Sequence, residues 1–269
     1  YLETPGKISY VFCSVRESFF GGKWDILICG HTHFLILAWV ITLFKKIRAC
    51  LIIYGIESWK KPKIFLSQWL SKLNSVLSIS EFSKQKFVDW SGFDRRFHLL
   101  PCCLDLDKIH PMSPRQDLVL KYGLKDRKVI MTLARLAREE KYKVIDEVIQ
   151  AMPEILKRVP DLVYLVCGTG NDQARMEKSV EVLGLKPYVL FTGFLPENDK
   201  LDYFRLADAF VMPGSGEGFG IVYLEAMACG VPVVGGKRDG SREALRDGKL
   251  GILVDPSNQE EIVKGILEA

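Results

Sequence analysis

The sequence predicts an α/β protein built on two parallel sheets. Three observations carry that expectation. Short apolar runs recur along the 269 residues and alternate with longer stretches of helical spacing. Several of these runs end in glycine, as at Gly30, Gly55, Gly168 and Gly193. A polar segment marked by Pro111 and Pro114 interrupts the rhythm and divides the chain into residues 1–110 and 111–269. Strands covered by helices on both faces read as continuous apolar runs, which fits this alternation.

In the first domain, strands are expected at residues 25–29, 50–54, 75–79 and 97–100, and the chain starts at Tyr1 within a helical stretch. The apolar run from Phe34 to Phe44 falls short of the roughly 20 residues a bilayer needs and reads as a buried helix. Ser80 suits the N-cap of a helix through Trp90. Ligands of such sheets gather beyond the carboxyl ends of strands. This points to Gly30-His31, to Gly55-Ile56-Glu57 beside Tyr54, and to Ser80-Glu81. His31 and His33 lack a third ligand nearby, so His31 reads as a structural or acceptor-side residue. The triplet Asp105-Leu106-Asp107 falls at the turn between domains, and no metal is expected there.

The second domain repeats the pattern with strands at 128–133, 162–166, 189–191, 209–212, 231–234 and 251–254. Helices lie between them, one from Val144 to Met152 and one bearing Met176, Val180 and Leu183. The domain therefore reads as Rossmann-like. Gly168-Thr169-Gly170 lacks the third glycine of a dinucleotide loop, since Gln173 stands in its place. Arg135 and Lys143 flank a charged loop after the first strand, a pair suited to a diphosphate.

The densest stretch runs from Phe210 to Gly236, FVMPGSGEGFGIVYLEAMACGVPVVGG. It reads as strand, glycine loop, helix, glycine, strand. A glycine loop opening onto a helix N-terminus binds anions, because free amides and the helix dipole both point outward. Glu217 and Glu225 bracket the loop and add acceptors for hydroxyl groups. Anion site and carboxylates together fit a sugar nucleotide better than a bare phosphate.

Composition sets the remaining bounds. The chain is 48% apolar and 26% charged, as expected of a soluble globular protein. Residues 1–110 hold 15 Lys/Arg against 9 Asp/Glu, leaving 22 and 24 of the chain's 37 and 33. The clusters Lys45-Lys46-Arg48 and Lys60-Lys61-Lys63 suit an anionic lipid surface or acceptor. No nucleic-acid partner is expected. The seven cysteines show no C-x-x-C spacing and read as free, buried thiols of a reducing compartment, placing the protein in the cytoplasm or at the inner face of the membrane.

The central stretch resembles the donor-site signature of the family-4 retaining glycosyltransferases, with E-x7-E at Glu217 and Glu225 in a setting of the form EGFGIVxLEAxACGxPVV. Tyr54-Gly55-Ile56-Glu57, Ser78-Ile79-Ser80-Glu81-Phe82 and Leu100-Pro101 to Asp105 resemble further family segments. Tyr54 stands where the family has a histidine, and Val144 where it has a glycine after the loop lysine. The resemblance implies a GT-B fold, with two Rossmann-like domains facing a cleft. It implies retaining transfer of a hexose-type sugar from a UDP-, GDP- or ADP-sugar to the hydroxyl of a glycan, lipid or small-molecule acceptor, in the synthesis of a cell-surface polysaccharide, glycolipid or related glycan. Glu225 would take the ribose hydroxyls and Glu217 those of the donor sugar. Phe219, Gly220 and Ile221 would offer amides, Arg135 and Lys143 would neutralise the diphosphate, and Gly168 and Leu195 would lie near the base. His31 and Tyr54 are the acceptor-side candidates. No metal or other cofactor is expected. A sugar-nucleotide epimerase and a catalytically weak binding subunit are the alternatives. The family's first strand and glycine loop would precede Tyr1, so the chain reads as a fragment whose first sheet exposes an edge and which binds donor without brisk transfer.

Overall fold

The computed structural model describes residues 6–62 and 67–269. The expected helix at Tyr1 and Lys63 of the second basic cluster lie outside them. The chain divides into two units, Tyr1–Pro101 and Cys102–Ala269. The division falls between Pro101 and Cys102, ahead of the expected boundary between residues 110 and 111. The reason is local: Arg205 Nη2 donates to the His110 carbonyl at 3.0 Å, and the Pro111 ring lies against Gly230, so this segment packs with the second unit.

The first unit contains helix α1 (Lys7–Phe20), strand β1 (Ile26–Cys29), helix α2 (Leu35–Phe44), strands β2 (Arg48–Ile53) and β3 (Ser75–Ser78), helix α3 (Glu81–Ser91) and strand β4 (Phe97–Leu99). Its sheet is parallel, with the strands in sequence order. Leu51, Ile53, Val76 and Phe87 form its centre, fully buried. Ser80 caps α3 by accepting from Ser83 N at 3.0 Å, and Gly92 ends that helix in the left-handed conformation. β1 is an edge strand, with Ile26 and Ile28 exposed. The α2 segment departs from the expected buried helix. Leu35, Ala38 and Ile41 form one buried stripe, while Ile36, Leu43 and Phe44 are exposed. An apolar run broken only by Thr42 carries little signal of which face turns inward. Among the described residues, no helix is long and apolar enough to cross a membrane.

The second unit contains α4 (Gln116–Tyr122), β5 (Val129–Leu133), α5 (Ile145–Leu156), β6 (Val163–Cys167), α6 (Gln173–Val182), β7 (Val189–Gly193), α7 (Lys200–Phe204), β8 (Ala209–Met212), α8 (Ile221–Ala228), β9 (Val233–Gly236), α9 (Ser241–Ala244), β10 (Ile252–Val254) and α10 (Gln259–Glu268). The six strands are all parallel, in the order β10-β9-β8-β5-β6-β7. The order reverses between β5 and β8. In open α/β sheets the crevice at that reversal, beyond the carboxyl ends of the strands, is where ligands bind. α5 turns Ile145, Val148, Ile149, Met152 and Ile155 onto the sheet, at the spacing of one helix face. Tyr164, Val166, Val211 and Val234 meet it from the strands.

Candidate donor site

The loops after β5, β6, β7 and β8 carry the candidate residues of the second unit, at the carboxyl ends of these parallel strands. After β5, Arg135 is exposed and pairs with Glu140 through Nε at 2.7 Å. That pairing holds its guanidinium pKa above the ordinary value. A 3-10 turn over Arg138–Lys143 follows, and Lys143 forms an ion pair with Glu217, both side chains largely buried. Lys143 is therefore the lysine brought to the glycine loop, while Lys141 remains exposed. Ser215 N donates to the Tyr142 carbonyl at 2.8 Å and ties the turn to the glycine loop.

Val144 adopts φ 62°, ψ 31°, the left-handed conformation that glycine takes easily and a β-branched residue resists. Its side chain is buried in the core of the unit. The backbone at this point thus has the shape a glycine would give it, and the departure from the family pattern is accommodated as local strain.

The glycine loop is held by close backbone contacts. A Cβ on Gly236 would lie 1.8 Å from the Gly214 carbonyl oxygen, and one on Gly240 would lie 2.1 Å from that of Gly218. Gly220, at φ 89°, turns the chain into α8. Phe219 is buried and Ile221 is exposed at the start of that helix, whose Tyr223 amide turns back to the Gly220 carbonyl at 3.1 Å while the amides ahead of it precede the helical ladder. Tyr223 is fully buried; its hydroxyl donates to the Met212 carbonyl at 2.7 Å and accepts from Ser241 Oγ at 3.0 Å. Burial lifts its pKa well above the ordinary phenol value.

Glu225 lies one turn into α8 and is 6% exposed. Its Oε1 accepts from Lys200 Nζ at 2.7 Å, and Lys200 also reaches Glu197 at 2.5 Å. Burial opposes the charge of Lys200, but the hydrogen bonds it donates to Glu197 and Glu225 outweigh it and raise the pKa. Sequence reasoning missed Lys200, because its partner stands 25 positions away. It also missed Asp239, whose Oδ2 accepts from Glu217 N at 2.7 Å.

Gly168, at φ 125°, ends β6 against its neighbours. Its N–H donates to the Gly193 carbonyl at 2.9 Å, and a Cβ there would lie 1.9 Å from the Ala134 oxygen. Gly170 is crowded in the same way by Leu136. These glycines serve the close approach of adjacent chain segments, which accounts for them without a dinucleotide. Leu195 is buried in the loop after β7.

The acceptor-side candidates stand at strand ends of the first unit. His31 stacks on His33 with ring centres 4.6 Å apart, and its Nδ1 accepts from His33 N at 3.1 Å. Burial first, then His33, lowers its pKa, against a smaller opposing pull from Glu57. Tyr54 is exposed, and its amide donates to Glu57 Oε1 at 2.8 Å. Thr32 Oγ1 donates to the Glu57 carbonyl at 3.0 Å, so both candidates border the Glu57 loop. Among the described residues, no group of three or more His, Cys, Asp or Glu is arranged to hold a metal ion. All seven cysteines are free thiols; Cys29, Cys50, Cys167 and Cys229 are buried, whereas Cys103 is exposed and Cys13 and Cys102 are half-buried.

Known proteins share this architecture. The crystal structure of Anabaena Alr3699/HepE in complex with UDP aligns with a TM-score of 0.81 at 20% identity, over 98% of this chain and 73% of that one. Sucrose-phosphate synthase from Thermosynechococcus elongatus aligns with a TM-score of 0.81 at 19% identity, over 97% and 68%. In sequence, the GDP-mannose-dependent alpha-(1-6)-phosphatidylinositol monomannoside mannosyltransferase of Mycolicibacterium smegmatis is 35% identical over 199 residues, which is 71% of this chain and 51% of the relative. The chain thus spans about half the length of the curated relatives it matches. The family described as glycosyl transferases group 1 matches residues 116–269, the stretch that holds β5 to α10 and the glycine loop. With its GT-B fold of Rossmann-like α/β units, the chain belongs to the glycosyl transferases group 1 family.

Proposed function

We propose that the second unit binds a nucleoside-diphosphate sugar, and that the protein transfers a hexose-type sugar from it to an acceptor hydroxyl with retention of configuration. The observation that carries this reading is the meeting of Lys143, Glu217 and the start of α8 where the strand order reverses. Cations, helix-start amides and carboxylates stand together there, the set a diphosphate joined to two sugars requires. Arg135 and Lys143 neutralise the diphosphate, the amides of Phe219, Gly220 and Ile221 bind it, Glu225 takes the ribose hydroxyls and Glu217 the donor sugar. Gly168 and Leu195 border the base. His31 and Tyr54 serve the acceptor side.

The chemistry is electrostatic. As the glycosidic bond breaks, the leaving diphosphate gains charge, and fixed cations and amides stabilise it. Removing one such group costs about 3–4 kcal/mol, or about 10²–10³ in rate. Two cations suffice for this task, so the reaction is proposed to need no divalent metal. The likeness to the mannosyltransferase that acts on a phosphatidylinositol mannoside favours glycolipid or glycan synthesis. Exposed Lys46 and Arg48 near exposed Phe44 support contact with an anionic membrane surface at its cytoplasmic face.

The test is thermal stabilisation by UDP-, GDP- and ADP-sugars. Ligand at 100 times its dissociation constant adds about 2.7 kcal/mol to a folded state that alone binds it. A clear rise with one nucleotide series is expected. No rise with any of the three sinks the donor-site reading.

A further inference from the structure

Asp239 is 1% exposed, and among the described residues no ion pair balances it. The cations beside it in sequence are committed elsewhere: Lys237 to Glu261, Arg238 to Asp255 and Arg242 to Asp247. Its carboxylate rests on N–H donors instead. Oδ2 accepts from Glu217 N at 2.7 Å, and Oδ1 accepts from Ser241 N at 3.0 Å. The next residue completes the hold, because Gly240 N donates to the Glu217 carbonyl at 2.9 Å. Both backbone polar groups of Glu217 therefore end on residues 239 and 240, while its side chain meets Lys143. A buried carboxylate without a counter-ion is costly to keep. Here the cost secures one peptide plane, the one that aims Glu217.

We propose that Asp239 is a positioning residue that sets the donor-sugar contact through the backbone of Glu217, an inference that rests on the donor-site reading. Three groups face it from the elements around it. Glu217 on the loop repels its charge, buried Tyr223 on α8 lies close enough to be affected by it, and Ser241 on α9 donates to it. Burial and the Glu217 charge, against the hydrogen bonds from Glu217 and Ser241, push its pKa up to about 6. Protonation removes one of the two acceptors, so the hold on Glu217 loosens in mildly acidic solution.

Two measurements on the 269-residue chain test this. The first needs no ligand: the amide resonance of Glu217 should titrate with a midpoint near that of Asp239 in the wild type and stay flat in Asp239→Asn. An amide that does not respond to pH overturns the inference by itself. The second is calorimetry with GDP, GDP-mannose, UDP, UDP-glucose, ADP and ADP-glucose across roughly pH 5 to 8. Wild-type affinity for the sugar-bearing ligand should fall about tenfold toward the acid end, and that for the bare diphosphate much less. Asp239→Asn should show the acid-end affinity at every pH. Ser241→Ala, which leaves the Glu217 contact in place, should keep the gain in affinity that the sugar brings. Asp239→Asn with wild-type affinity and a wild-type pH profile overturns the inference and leaves the donor site standing. No binding of any of the six probes by the wild type overturns the donor-site reading and the inference built on it. Should Asp239→Asn fail to fold, the wild-type profiles decide, and equal pH dependence for bare and sugar-bearing ligands counts against the inference.

Discussion

The ammonium of Lys200 lies 2.7 Å from Oε1 of Glu225, and it is the cation that balances that buried carboxylate. Lys200→Met should strand the charge of Glu225, and an unsatisfied buried group costs on the order of 1–3 kcal/mol. The double variant Lys200→Met with Glu225→Gln should recover part of that loss. Denaturant melts of the two single variants, the pair and the wild type measure the coupling. Simple additivity would show that the contact contributes nothing.

Glu225 and Glu217 should separate in their response to ligand. Glu225→Ala is expected to weaken binding of the bare nucleoside diphosphate by about tenfold, the loss of one charged hydrogen bond to a ribose hydroxyl. Glu217→Ala should leave that binding nearly unchanged and reduce the gain that the sugar brings. Calorimetry with diphosphate and sugar nucleotide compares them, and the reverse ranking means the two roles are exchanged.

If Arg135 and Lys143 supply the charge that a divalent ion would otherwise bring, as proposed, turnover should survive EDTA. Lys143→Met should then lower kcat by about 10²–10³. Complete loss of activity in EDTA, restored by Mg²⁺ or Mn²⁺, would count against the cationic clamp.

Val144 offers a test of strain. A side chain in the left-handed conformation costs roughly 1–2 kcal/mol, which glycine avoids. Val144→Ala loses buried methyl groups and keeps the strain; Val144→Gly loses slightly more and releases it. The glycine variant should be at least as stable as the alanine variant. A clearly less stable glycine variant refutes the argument.

Asp239 gives the fold a pH dependence of unusual sign. Its pKa near 6 exceeds the ordinary carboxylate value, so in the interval between them the folded chain holds a proton that the unfolded chain does not. The stability this group contributes therefore rises as pH falls through 6, by about 1 kcal/mol per unit, and levels off near the ordinary value. Against Asp239→Asn, the wild type should gain on acidification. A gap that stays constant from neutral to mildly acidic solution is the contrary result.

Much of this architecture was legible in the chain. Parallel strands buried on both faces advertise themselves as apolar runs, and the glycines from Gly214 to Gly220 announce a loop that no regular element tolerates. What could not be read depends on partners brought together only by folding. Lys200 opens a five-residue helix and carries no local mark, and Asp239 sits in a polar turn like many others. The missing third glycine spoke against a dinucleotide loop at Gly168 and Gly170, but their own role stayed hidden because crowding by Ala134 and Leu136 is a tertiary fact. The one-sided burial of α2 was hidden for the opposite reason, since every residue of that helix is suited to the interior.

The reversal of strand order has a kinetic consequence. β5 meets β8 where Thr132 donates to the Val211 carbonyl, across 79 positions of sequence. Every other strand pair of this sheet joins segments closer in the chain. Closing the longest loop carries the largest entropic cost, so β5–β7 and β8–β10 can each assemble from nearer contacts before the seam between them zips. The glycine loop and the Lys143 turn stand on opposite sides of that seam. Arg135 and Lys143 are thus laid down by one folding module and Glu217 and Glu225 by the other, and the candidate site comes into being only when the two modules join.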